Sequence, residues 1–225
     1  LFAVTLFDPR GPRRLNPSLG TSEDVATQFL LSADGELAAF WVTRVGFHEL
    51  WSARTDGSTP AVQLDTRSLL PSSMLFSGDG TRLVYALGDF RAASVPSDGS
   101  APATLAGPAN LQVTSLGYDL ASGRVFLHGL EAGVERLHSM PIDASVPAIQ
   151  LVPTGAATLD IDTPLVADGL VYFLSDPVNG TFELHSVPID GSGAALIQSG
   201  PLVAGGRVTG FIVRDGVAIY RADST

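Results

Sequence analysis

The chain contains no cysteine, which excludes a disulfide framework and thiolate chemistry and leaves the compartment open. Lysine is absent as well: all 13 basic residues are arginine, set against 23 aspartates and glutamates for a formal net charge of −10. That balance argues against phosphate-driven nucleic-acid binding and against recruitment to an anionic membrane surface. If charge steers a partner, the partner is cationic. No apolar run approaches the roughly 18–20 residues that span a bilayer. The opening LFAVTLF has its arginines, Arg10, Arg13 and Arg14, after the apolar run, the reverse of a signal peptide's order, and reads as a strand. The chain does not start with methionine, so a processed product or a piece of something longer is expected.

What is present is turn chemistry, in a self-similarity of about 45 residues. One set of turn signals reads Asp34-Gly35, Asp79-Gly80, Ser122-Gly123, Asp168-Gly169 and Asp215-Gly216. The other reads Asp8-Pro9, Asp56-Gly57, Asp98-Gly99, Asp143-Ala144 and Asp190-Gly191. Such dipeptides suit the positive φ of tight hairpins, and short apolar runs lie between them. The clearest copy, Gln28 to Asp65, divides into FLLS, ELAAFWV, FHELWSA and PAVQL. Its second piece is apolar almost throughout, as are LVYAL, RVFL, VYFL and VAIY in later copies. Continuous apolar character in short β-branched and aromatic runs predicts strands covered on both faces.

The expected fold is therefore all-β: a single propeller domain over 1–225, built of four-stranded antiparallel blades. Whole copies fall near 28–65, 74–106, 115–152 and 163–198, with half-copies near 1–20 and 208–225. The first half aligns with the last two strands of a copy, LFAVTLFDPRGPRRL over FELHSVPIDGSGAAL, and the second supplies only the first two. Four whole copies and two complementary halves make about five blades if the ends meet. The alternative is a fragment of a larger propeller.

The pattern F-x-x-S-x-D-G-x-x-x-x-F, followed by E-L-W/H-S and D-G-S, resembles the TolB-type, WD-like β-propeller repeat. The likeness runs the whole chain, strongest at Leu30–Gly57 and Phe182–Gly191. The resemblance implies a scaffold for protein–protein contacts, periplasmic or otherwise exported. It also occurs in the propellers of prolyl-oligopeptidase-type enzymes, so a detached gating propeller is the alternative. These residues hold neither a Gly-x-Ser-x-Gly nucleophile elbow nor a hydrolase domain. No catalytic residue, cofactor or metal is expected.

Individual motifs reduce to structure. His48-Glu49 opens like a zinc-protease motif, but Ser52 stands where the second histidine belongs. His138 and His185 share a repeat position with Trp51, Ala93 and Ala3. A position filled by Trp, His or Ala is a packing position, so satisfied structural histidines are expected there. Asp160-Ile-Asp162 lacks the downstream glycine and glutamate of a calcium loop. The turn aspartates are expected to bond backbone within their own hairpins. Asn179-Gly180-Thr181 is a formal glycosylation sequon but reads as a turn.

Function is expected at the end opposite the Asp-Gly turns, where loops lead into each blade's first strand. The binding candidates are Asp24, Arg67, Asn110, Asp160, Asp162 and Arg207, with Glu23 and Gln112 beside them. Loops within the blades add Arg44, Asp89, Glu131, Asp176 and Asp223. Acidic residues outnumber basic ones, which suits a cationic protein or peptide. An axial enzyme site is disfavoured, since no spacing pairs Asp24, Asp160 or Asp162 as glycosidase carboxylates.

Overall fold

The structure, a computed structural model, describes residues 1–3, 11–71, 73–87, 91–152, 160–176, 181–200, 202 and 206–223. The chain forms two compact units, residues 1–105 and 106–225. Regular structure among the described residues is entirely β.

In the first unit, β1 (Phe2–Ala3) pairs with β2 (Arg13–Arg14). A four-stranded antiparallel sheet follows in chain order: β3 (Asp24–Leu31), β4 (Leu37–Arg44), β5 (Phe47–Arg54) and β6 (Val62–Arg67). The next comprises β7 (Ser73–Phe76), β8 (Arg82–Ala86), β9 (Ala92–Pro96) and β10 (Thr104–Ala106). The second unit repeats the plan with β11 (Leu111–Asp119), β12 (Arg124–Glu131), β13 (Val134–Pro141) and β14 (Ile149–Gln150). Its second sheet has β15 (Asp160–Ala167), β16 (Leu170–Asp176), β17 (Glu183–Pro188) and β18 (Leu196–Ile197). A two-stranded sheet, β19 (Arg207–Arg214) and β20 (Val217–Asp223), completes it.

The dipeptides set these hairpins locally. Gly35, Gly80, Gly169 and Gly216 all have φ between 71° and 76°, where a Cβ is penalised. At Asp168 and Asp215 the aspartate is left-handed too, with φ of 52° and 51°. Two positive φ values in a two-residue loop match the twist of the flanking strands. The serine of the repeat earns its place in the same turns. Ser77 Oγ donates to Asp79 Oδ1 at 2.6 Å and accepts the N–H of Arg82 at 2.9 Å. Ser32, Asp34 and Leu37 repeat this arrangement at 2.6 and 2.9 Å.

Most second strands are covered on both faces. Phe40 and Trp41 are adjacent on β4, project to opposite faces, and are both fully buried. Phe40 packs with Leu15, Ala38 and Val42. Trp41 packs with Leu50, Leu83 and Tyr85, its ring edge-on to Tyr85 at 5.5 Å. Each such side chain contributes roughly 2–3 kcal/mol by leaving water. On β16 the same alternation sends Phe173 to one cluster, with Phe126 and Leu137, and Tyr172 and Leu174 to another, with Leu184 and Val208.

Three expectations need correction. The VAIY run becomes β20, yet Val217 and Ile219 stay 58% and 63% exposed. Apolar sequence proposes burial; the neighbouring sheet decides it. First strands begin earlier than the apolar copies at Gln28 and Ser115, at Asp24 and Leu111. The reason is a register shift inside β3, β11, β15 and β19. One extra residue in β11, β15 and β19 reverses the in–out phase, and two in β3 interrupt it, which hides the upstream half of the strand from pattern reading. In β15 the shift falls around Pro164, which has no N–H for a ladder. Finally, one turn aspartate reaches beyond its hairpin: Asp168 Oδ2 accepts the N–H of Gly216 at 2.9 Å, as Asp119 Oδ1, at the end of β11, accepts that of Gly169 at 3.3 Å. Expectations at Asp8-Pro9, Asp89 and Asn179-Gly180 lie outside the described residues.

Candidate functional site

Every four-stranded sheet has two ends. One carries the Asp-Gly turns; the other is where the first strand enters. Asp24, Asp160 and Arg207 are the first residues of β3, β15 and β19. Asn110 immediately precedes β11, Asp162 is the third residue of β15, and Arg67 is the last of β6. All six candidates therefore stand at entry ends, two in the first unit and four in the second.

In the first unit the entry end sets Glu23, Asp24, Glu49 and Asp65 against Arg44 and Arg67, and three of these four carboxylates are paired with an arginine. Arg67 Nε bonds Asp65 Oδ2 at 2.6 Å, and that oxygen also accepts the hydroxyl of the fully buried Tyr85. Burial, and then the neighbouring Asp65 carboxylate, push the Tyr85 phenol well above its usual range. Arg44 bonds Glu49 Oε2 at 2.9 Å and also contacts Glu23. Glu23 is held below the usual carboxylate range by the N–H of Gly20 and by Arg44. Glu49 further accepts Trp51 Nε1 at 3.0 Å. Two concavities of this unit hold little chemistry. One of about 610 Å³ lies against Trp51, Pro17 and Pro60, with Arg14 its charged side chain, and one of about 370 Å³ lies against Phe2, Phe29 and Leu31.

The second unit differs. Residues 106–225 carry 12 acidic residues against 5 arginines. At its turn end four of five carboxylates are occupied by backbone, the fifth, Asp215, being exposed beside Arg214. Asp143 Oδ1 accepts Ser145 N at 3.0 Å, Asp190 Oδ1 accepts Ser192 N at 2.9 Å, and Asp119 and Asp168 take the glycines of the next turn. The entry end holds Glu131, Glu135, Asp160, Asp162, Asp176, Glu183 and Asp223 against Arg136, Arg207 and Arg221.

The tip of the β12–β13 hairpin, Ala132-Gly133, organises part of this end. Glu131 and Glu135 flank it on opposite faces of the sheet. Asn110 Nδ2 donates to Glu131 Oε1 at 2.6 Å, and Glu135 accepts the N–H of Ile161 from the next sheet. Beneath each glutamate lies a buried imidazole: His138 Nε2 is 3.8 Å from Glu131 Oε2, and His128 Nε2 is 3.7 Å from Glu135 Oε2. His128 Nδ1 lies 3.3 Å from Ser115 Oγ and 3.4 Å from Thr114 Oγ1. His185 follows the same rule, 3.9 Å from Glu183 and stacked on Phe173 at 5.5 Å.

The repeat comparison predicted satisfied packing histidines at His138 and His185, but neither they nor His128 have every ring nitrogen hydrogen-bonded. The Nε2 atoms of all three are buried without a hydrogen-bond partner, as is His138 Nδ1. Burial lowers all three below the ordinary imidazole value, against the pull of Glu135 and Asp162 on His128, Glu131 on His138 and Glu183 on His185. Sequence reading missed Glu135 because its partners are set by pairing across the hairpin to His128 on β12 and by packing of Ile161 from β15. Among the described residues no group of three or more His, Cys, Asp or Glu is placed to hold a metal ion.

No family model and no curated protein matches the chain. Solved structures do. A putative TolB from Agrobacterium tumefaciens superposes with a TM-score of 0.52 at 20% identity, covering 85% of this chain and 66% of that one. TolB from Acinetobacter baumannii gives 0.51 at 12%, over 88% and 48%. Oligopeptidase B from Trypanosoma brucei, with covalently bound antipain, gives 0.55 at 8%, over 87% and 30%. The chain thus spans less than two thirds of each relative's length. The likeness establishes the fold, a TolB-like β-propeller.

Proposed function

We propose that this β-propeller is a non-enzymatic scaffold that binds a cationic protein or peptide segment through its strand-entry end, in the periplasm or outside the cell. The observation that carries the reading is the contrast between the two ends of the second unit. Its turn-end carboxylates are largely held by backbone N–H groups, whereas its entry end gathers seven acidic residues against three arginines. Carboxylates at loops on a rigid sheet steer and orient cations without reorganising. Asn110, Asp160, Asp162 and Arg207 are the contact residues proposed for this unit, and Asp24 and Arg67 those for the first. The envelope location follows the TolB likeness.

The test is charge reversal. Asp160→Lys with Asp162→Lys is expected to weaken binding of an oligoarginine peptide about tenfold or more, with an unchanged melting temperature. Unchanged binding would remove the reading.

A second reading is favoured by the oligopeptidase B likeness, which extends over 87% of this chain: a propeller that gates a peptidase. A hydrolase domain encoded in the same natural polypeptide would decide for it.

A further inference from the structure

The acidic entry end of the second unit contains more than carboxylates. His138 is 6% exposed and has no hydrogen-bond partner on either ring nitrogen, and its Nε2 points at Glu131 Oε2. His128 is 8% exposed, with its Nε2 likewise unpartnered and directed at Glu135 Oε2. Nδ1 of His128 sits within reach of the Ser115 and Thr114 hydroxyls. The Ser115 hydroxyl can donate to Nδ1, and the Nε2 edge of the ring faces the Glu135 carboxylate. The same Glu135 oxygen accepts the N–H of Ile161. A doubly protonated ring would face that carboxylate as a cation at 3.7 Å.

Resting on the reading above, we propose that His128 and His138 make the acidic end a pH-gated site, holding a cationic partner at neutral pH and releasing it on mild acidification. The charged groups facing His128 are Glu135 from β13 and Asp162 from β15. Those facing His138 are Glu131 from β12 and Arg136 on its own strand. Proton uptake converts each His–Glu contact into an internal ion pair. The glutamates are then neutralised from below, and the field that attracts a cationic segment collapses. Burial holds the histidines neutral at physiological pH, so the change falls on the acidic side of an ordinary imidazole.

An oligoarginine peptide is the suitable probe, because guanidinium stays charged throughout the range and any pH response belongs to the protein. Binding to the full chain is measured by fluorescence anisotropy at about pH 7.5 and about pH 5.5, with melting curves alongside. The expected result is affinity about tenfold weaker at the lower pH, flattened in a His128→Gln, His138→Gln variant. Glu135→Gln is expected to weaken binding at the higher pH and to reduce the pH response. It gives a second route should the histidine variant fail to fold. Equal affinity at both pH values overturns the gating and leaves the acidic site standing. Absence of binding at either pH overturns both.

Discussion

The carboxylate of Asp168 accepts the backbone N–H of Gly216 at 2.9 Å, tying the hairpin turn of one sheet to that of the next. One sheet earlier, Asp119 does the same to Gly169 at 3.3 Å. Residues chosen for local turn geometry thus also connect neighbouring sheets. Asp168→Ala should cost about 1 kcal/mol by urea unfolding, since it removes the acceptor and leaves a less suitable residue at a φ of 52°. Asp168→Asn keeps both an acceptor oxygen and tolerance of that φ, and should cost little. Equal losses would show that the bond contributes nothing.

Ser77 is 2% exposed and joins Asp79 to the backbone of Arg82. Its hydroxyl, and then the Thr81 N–H, hold Asp79 below the usual carboxylate range. Ser77→Ala leaves the Arg82 N–H without that acceptor, and is expected to lower stability by about 1–2 kcal/mol. Chemical denaturation measures it, with Ser100→Ala as the exposed comparison.

Ala144 occupies a turn position filled in other copies by Gly57, Gly99 and Gly191, and has a φ of 55°. The left-handed region penalises its Cβ. Ala144→Gly should therefore raise stability by about 1 kcal/mol, although glycine substitutions usually do the opposite. A lower unfolding midpoint would mean that the strain is relieved elsewhere.

Burial lowers His128, His138 and His185 below their unfolded value of about 6.5. The unfolded chain then binds protons that the folded chain refuses. The stability involved is complete above about pH 6.5 and is lost as pH falls from there through the folded values. Melting temperatures taken between about pH 7.5 and 5 should fall, and His185→Gln should reduce the slope. A flat profile over that window would contradict the burial argument. Asp34, Asp79 and Asp190, lowered by serine hydroxyl and backbone donors, lose their contributions at more acidic pH and stay separable.

The fold was legible because its signals are local. Asp-Gly pairs impose positive φ within two residues, and the second-strand runs sit between them. The site was legible only as an end of the sheet. Asp160, Asp162, Asn110 and Arg207 could be assigned to the entry ends from chain direction alone, although three of them lie within strands rather than loops. That Arg67 meets Asp65 follows from their sharing a face of β6, but that the hydroxyl of Tyr85 also reaches Asp65 does not, because it comes from the next sheet.

By itself the sequence determined a repeated hairpin architecture, its turn positions and its acidic balance, since each depends on neighbours within a few residues. Tertiary structure decided which apolar runs are buried, as the contrast between β4 and β20 shows. It also decided which carboxylates meet a histidine and which meet a backbone N–H. Those pairings join residues on different strands and sheets, such as Glu135 with Ile161 and Asp168 with Gly216. The physical reason is that desolvation and hydrogen bonding depend on what packs across a sheet face, and a shift of one residue exchanges the two faces.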